Sequence, residues 1–114
     1  SEWSFSPEDG NDLLGEDGED WDNYAKWFLL IDEDANKETK SYYKFPFGKD
    51  GKVYRSGLIA IRQRSSQFGY EDVFEAAGKL LDLIDKDDNN RLEAMYKESF
   101  TKVFDELREK LQKQ

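Results

Sequence analysis

The chain contains no cysteine and no histidine among its 114 residues. Without cysteine it can form neither disulfides nor thiolate metal sites, which is typical of proteins from a reducing compartment. Without histidine it lacks the usual general base at neutral pH and the base of most nucleophilic catalytic systems. We therefore expect a protein that is not an enzyme and that holds no cofactor.

Long apolar runs are also missing. No run approaches the about 18 residues that a membrane-spanning helix needs, and the N-terminus begins with acids instead of the basic region of a signal peptide. We expect one soluble domain without membrane contact. Hydrophobic residues make up 37% of the chain and charged residues 38%, so the aromatic residues, at 15%, must supply much of the core volume.

Basic residues are absent from the first 23 positions, which contain nine acids. The other 91 residues carry 17 acids and 17 bases, so the net charge of −9 belongs to this N-terminal arm. Large apolar residues such as Leu13, Leu14 and Trp21 interrupt the acids and favour an arm that docks in part on the domain of residues 24–114. The candidate partner-binding residues are Asp9, Asp12, Glu16, Asp17, Glu19, Asp20 and Asp22.

A β-hairpin is the clearest local prediction. Residues 42–47 and 52–54 flank Asp50 and Gly51, a dipeptide that readily adopts the positive φ angles of a tight turn. Pro46 cannot donate to a strand ladder, which favours an edge position. The apolar run 24–31 has the length of a strand and is predicted as one, although its spacing also fits a short helix. Trp27 and Phe45 are expected in the core.

Apolar residues at helical spacing predict three helices in the second half of the chain, over residues 56–68, 70–84 and 91–112. Ser56 is the expected cap of the first helix and Gly69 its stop. Asn90 and Glu93 can cap the third helix reciprocally. The fold class is therefore α+β, with a small antiparallel sheet packed on three helices. The third helix carries an apolar stripe formed by Tyr96, Phe100, Val103, Leu107 and Leu111.

The loop after the second predicted helix resembles part of a calcium site. Residues 85–93 offer oxygen ligands at positions one, three and five of an EF-hand loop, but position twelve is Tyr96 and cannot supply the closing carboxylate. A turn without metal explains the same residues, and we favour it. Arg55, Arg62, Arg64 and Lys79 could form a small basic face, but it is too weak for direct nucleic-acid binding by a strongly negative chain.

Several short motifs carry a family resemblance. They are residues 5–11 (FSPEDGN), 14–15 (LG), 20–21 (DW) with Tyr24, 40–47 (KSYYKFPF), 50–52 (DGK) and 59–60 (IA) in the helix that follows. Residues 5–84 thereby resemble a small domain of tailed-phage and prophage proteins associated with prohead proteases and head morphogenesis. The resemblance implies no chemistry. It implies an accessory or assembly role in the bacterial or infected-host cytoplasm, or in the virion.

The sequence thus predicts a non-enzymatic, phage-type module for protein–protein interaction or assembly, whose partner is a protein with a basic surface. One alternative is an acidic DNA mimic that inhibits a host nucleic-acid-binding defence protein, of the anti-CRISPR or anti-restriction type. Another is a weak calcium-binding helix–loop–helix protein. Residues 91–112 lie outside the resemblance, and this helix is a candidate for homodimerisation.

Overall fold

The computed structural model describes residues 3–86 and 93–112, and within them an α+β fold, as the sequence predicted. In chain order the elements are α1 (Pro7–Leu14), α2 (Trp21–Ala25), β1 (Phe28–Ile31), a 3-10 turn (Lys40–Tyr42), β2 (Tyr43–Pro46), β3 (Gly48–Lys49), β4 (Lys52–Tyr54), α3 (Arg55–Phe68), α4 (Glu71–Asp85), β5 (Glu93–Met95) and α5 (Glu98–Gln112). The helices of this described part are too short and too polar to cross a membrane.

The strands form two small antiparallel sheets, β1–β2 and β3–β4–β5. The predicted turn at Asp50 and Gly51 is confirmed, since both residues have positive φ and connect β3 to β4. The predicted pairing of residues 42–47 with 52–54 is wrong for β2, because β2 pairs with β1 instead. Phe45 has a φ of 64°, and it is Phe47 and the two residues of β3 that lie along β4.

Phe47 connects the two sheets. Its amide donates to the carbonyl oxygen of Trp27, and its own carbonyl oxygen accepts from the amide of Tyr54, both at 3.0 Å. Its ring is fully buried, as is nearly all of Trp27. The expectation of a buried Trp27 is confirmed, whereas Phe45 is only half-buried at the margin of the core.

The strand predicted over the apolar run 24–31 is confirmed for residues 28–31 and wrong for the start of the run, which is helical. Tyr24 and Ala25 close α2, and the strand begins at Phe28. Pro46 lies opposite Phe28 in a two-stranded sheet, so its predicted edge position is confirmed.

The helix boundaries show where local signals hold and where pairing overrides them. Gly69, with φ of 80°, ends α3 as predicted. Ser56 does not cap α3, because β4 runs directly into the helix, which begins at Arg55. The third predicted helix begins at Glu98 and not at residue 91, because Glu93–Met95 pairs with β4. Glu93 is therefore no helix cap, and its expected partner Asn90 lies outside the described residues.

The core lies between the sheets and the three long helices, and α3 and α4 pack closely on each other. Of the predicted stripe, Tyr96 lies before α5 and is not part of the helix, Phe100 and Leu111 are buried, and Val103 and Leu107 are half-buried. Phe104, which that stripe omitted, is fully buried. The apolar face of α5 thus packs within the protomer, and a homodimer through α5 would use its exposed face. The fully buried side chains include Leu29, Phe47, Val53, Leu58, Leu80, Ile84 and Phe104.

Candidate partner-binding surface

The acidic arm begins with a capped helix. Ser6 Oγ accepts a hydrogen bond from the amide of Asp9 at 3.1 Å, and Asp9 Oδ2 accepts one from the amide of Ser6 at 2.8 Å. Pro7 follows at the first helical position, where its missing N–H is no loss. This reciprocal capping satisfies two amides that the helix itself leaves without acceptors, so α1 is well defined despite its length.

Two lysines from the sheet region hold α1 in place. Lys49 Nζ lies 2.9 Å from Asp9 Oδ2 and donates to the carbonyl oxygen of Ser4 at 2.8 Å. Lys40 Nζ donates to Asn11 Oδ1 at 2.6 Å. The hydrogen bond from the Ser6 amide lowers the pKa of Asp9 most, and the contact with Lys49 lowers it further. Asp9 is thus an ionised structural group.

The segment between α1 and α2 is fastened at both ends. Leu13 and Leu14 are each only 6% exposed, so the end of α1 is anchored in the core. Asn23 Nδ2 donates to the carbonyl oxygen of Leu13 at 2.8 Å, and the Asn23 amide donates to Asp20 Oδ1 at 3.1 Å. The amide of Asp20 in turn donates to the carbonyl oxygen of Leu14. The acids between these points are therefore presented on a fixed backbone.

The seven predicted partner-binding residues divide into two groups. Asp9 and Asp20 accept backbone hydrogen bonds at helix starts, so they serve the fold. The other five are exposed, and none of them has a side-chain hydrogen bond or ion pair with another residue of 3–86 or 93–112. We call them the acidic segment, which consists of Asp12, Glu16, Asp17, Glu19 and Asp22.

Sequence reasoning missed one neighbour of this segment. Glu38, from the loop after β1, lines an open depression together with Asp22 and Tyr43. Burial raises the pKa of Tyr43 most, and the charges of Asp22 and Glu38 contribute to the rise. Trp21 stacks on Tyr43 with ring centroids 6.0 Å apart. Lys37 lines the same depression, so two acids meet there beside one cation, and no local sequence signal associates this loop with the arm.

Other candidate sites receive little from the geometry. Arg62 lies over the ring of Phe74, 3.8 Å from its centroid, and Arg55 pairs with Asp85 at 3.1 Å, so part of the weak basic face is engaged. Asp85, the first residue of the calcium-like loop, is the last residue of α4. Residues 87–92 of that loop lie outside the described residues. Within the described ranges, no three His, Cys, Asp or Glu side chains are grouped for a metal.

Comparison with known proteins adds no relative. No protein-family model, no curated protein and no solved structure matches the chain. The resemblance to phage head-morphogenesis domains therefore stays a prediction from the motifs.

Proposed function

We propose that the protein acts by contact with a basic protein partner and that the acidic segment is the contact surface. The proposal rests on five exposed carboxylates on a fixed backbone, with Asp12 on α1, Asp22 on α2, and Glu16, Asp17 and Glu19 between the two helices. Flexible acidic tails lose conformational entropy when they bind, whereas a fixed backbone has largely lost it in folding. Solubility alone does not require a fixed backbone, whereas specific recognition of a partner benefits from one.

The charge of the acidic segment affects partner binding more than it affects folding. Exposed carboxylates add little to folding stability, but together they attract a basic partner over roughly the Debye length of about 8 Å at physiological salt. Their principal effects are a faster encounter and rejection of acidic partners. In the setting that the motifs imply, the partner is a basic face of a phage head-assembly component.

A second candidate function uses the same surface as a DNA mimic against a host defence protein. It is favoured by Glu38, which adds a carboxylate from outside the arm next to Asp22, in a depression that Lys37 also lines. A mimic must occupy a groove that normally holds phosphates. Duplex DNA should then compete for the captured partner, whereas it should not compete for an assembly partner that binds no DNA.

The experiment is an affinity capture from bacterial lysate at low and high salt. The bait is the wild-type chain or a five-amide variant in which Asp12, Glu16, Asp17, Glu19 and Asp22 become Asn or Gln. The control replaces five exposed acids on α4 and α5, namely Glu71, Asp72, Glu75, Asp82 and Glu106, in the same way. We expect a partner that the wild type and the control capture at low salt and the five-amide variant does not. Equal capture by all three baits would overturn the proposal.

A further inference from the structure

A second surface, separate from the acidic segment, is an open groove of about 770 Å³. It lies between β2 and α3, with residues 3–5 along one side and Phe68 and Tyr70 at its end. Its volume lies in the range of about 300 to 1,000 Å³ that is typical of ligand pockets. The groove is thus large enough to take several side chains of a bound segment.

Exposed aromatic rings distinguish this groove. Phe68 is 65% exposed and Tyr70 49%, and they are the exposed large hydrophobic residues of the described chain. Gly69, which lies between them in the left-handed conformation, ends α3. The end of the helix therefore does not explain why the two rings are exposed. Large apolar side chains that are exposed together commonly mark an interaction site.

Phe45 forms part of the wall in a strained conformation. Its φ of 64° lies in the left-handed region, which is unusual and unfavourable for a bulky residue. The result is an edge-to-face contact with Tyr70, with ring centroids 5.7 Å apart. Strain of this kind is concentrated at binding sites, where the surrounding structure maintains it.

The charge of the groove is opposite to that of the chain. Among the described residues, its lining includes Lys44 and Arg64 and no carboxylate, although the protein has a net charge of −9. Lys44 is half exposed and lies 4.0 Å from Asp32, the outer limit of an ion pair. Arg64 is exposed, and its guanidinium pairs with no carboxylate in residues 3–86 or 93–112. The groove therefore offers two cations beside aromatic walls.

We propose that this groove binds an extended peptide segment of a partner protein, in which acidic residues flank an aromatic or leucine side chain. The apolar side chain would pack among Phe45, Phe68 and Tyr70, and Arg64 would donate two parallel hydrogen bonds to a carboxylate of the peptide. Aromatic residues and arginine are enriched among the interface residues that contribute most of the binding energy.

Two other occupants fit less well. A nucleic acid would bring many phosphates toward a chain whose net charge repels them. A second copy of this chain offers acids in its own acidic segment, but the apolar residues next to them are already used. Leu13 and Leu14 are buried, and Trp21 is stacked on Tyr43. A short segment of a different protein supplies acids and a free apolar side chain together.

The test is a selection from a random displayed peptide library, with wild type as bait and a variant carrying Arg64→Glu and Phe68→Ser for counter-selection. We expect enriched peptides that combine an excess of Asp and Glu with Phe, Trp or Leu. For a synthesised representative, Arg64→Glu and Phe68→Ser should each weaken binding about tenfold or more, measured by fluorescence anisotropy. Both side chains are exposed, so the variants should keep the wild-type melting temperature.

The controls separate this proposal from the proposed function. Lys102→Glu, an exposed charge reversal on α5, and the five-amide variant should both bind the peptide within about twofold of wild type. No enriched peptide, enriched peptides without acids, or equal binding to Arg64→Glu would each overturn the groove proposal and leave the acidic segment unaffected. Tighter groove-dependent binding of labelled oligothymidine than of any selected peptide would also overturn it, in favour of a nucleic-acid ligand.

Discussion

Arg108, on the last helix, donates a hydrogen bond from Nε to the carbonyl oxygen of Phe28 at 2.8 Å. Its guanidinium also donates to the carbonyl oxygen of Lys26 and to Asp105. Burial lowers the pKa of Arg108, against the opposing effects of Tyr96 and Asp105, but an arginine stays charged at any physiological pH. One side chain thereby connects α5 to the junction of α2 and β1.

Replacing Arg108 by Met should lower the free energy of unfolding by about 1 to 3 kcal/mol, because the two carbonyl oxygens lose a buried donor while the apolar stem is kept. Lys at this position should recover only part of the loss, since it cannot reproduce the fork of donors. Urea unfolding measures the effect. The exposed Arg64→Met is the control. Equal stabilities of the two Met variants would show that the contact adds nothing to folding.

Two glycines should respond to alanine in opposite ways. A Cβ at Gly48 would lie 2.4 Å from the carbonyl oxygen of Lys52 and 2.5 Å from the Trp27 ring, so backbone and core would both have to move. At Gly78, inside α4, a Cβ would meet only the end of the Arg62 side chain, at 2.8 Å. We expect Gly48→Ala to destabilise by about 1 to 3 kcal/mol, and Gly78→Ala to be neutral or stabilising by up to about 1 kcal/mol.

Thermal unfolding of both glycine variants provides the measurement. If Gly48→Ala melted at the wild-type temperature, the close approach of β3 to Trp27 would be wrong. If Gly78→Ala melted well below wild type, Arg62 would be held more firmly over Phe74 than a surface side chain should be.

Asp9 should make stability depend on acid pH. Its pKa is lowered in the folded state from an ordinary value of 3.8, so its stabilising contribution is present above that value and is lost as the pH falls through the folded pKa. Asp9→Asn should therefore destabilise at neutral pH by about 1 kcal/mol, as is usual for a lost cap. The difference from wild type should shrink in acid, as melting temperatures across the acid range would reveal.

Asp12→Asn, on the same helix but exposed, is the matched control for Asp9. It should leave the neutral-pH melting temperature nearly unchanged, because exposed charges contribute little to folding. A difference between Asp9→Asn and wild type that stayed constant down to strongly acid pH would contradict the role of the ionised carboxylate.

Calcium should have almost no effect on stability. The loop that begins at Asp85 has Tyr96 where an EF-hand needs a carboxylate, and Asp85 itself pairs with Arg55. A ligand that binds only the folded state raises the melting temperature by mass action. Titration with calcium to millimolar concentration, with magnesium as control, should leave the melting temperature unchanged. A rise of many degrees with calcium alone would restore the helix–loop–helix alternative.

Signals that act within a few residues were readable in the sequence. The Asp50-Gly51 turn and the Gly69 stop depend on the backbone freedom of those residues, so local sequence is enough. The partner of β2 was not readable, because strand pairing depends on burial of distant residues. Local preference favoured the adjacent β4 for β2, yet the apolar β1 pairs with it.

The candidate surfaces show the same division. The exposed acids were identified from composition, but Asp9 and Asp20 were not separated from them. The signal was present, because Ser6 lies three residues before Asp9 and Asn23 three residues after Asp20, which is the spacing of a helix cap. The aromatic groove had no sequence signal, because it joins residues from the N-terminal segment, β2 and the end of α3. Only the fold brings them together.

The acidic segment should control how fast the partner binds. The five-amide variant keeps Asp9 and Asp20, so its melting temperature should match or exceed that of wild type, since repulsion among like charges is relieved. Its association rate with the captured partner should fall about tenfold or more at low salt and converge with wild type at high salt, because steering by charge is screened. Surface plasmon resonance across a salt series measures the rates, and the α4–α5 amide variant is the control. The proposal would be wrong if the five-amide variant bound at an unchanged rate and charge reversal at Lys102 of α5 abolished binding. The contact surface would then be the last helix and not the acidic segment.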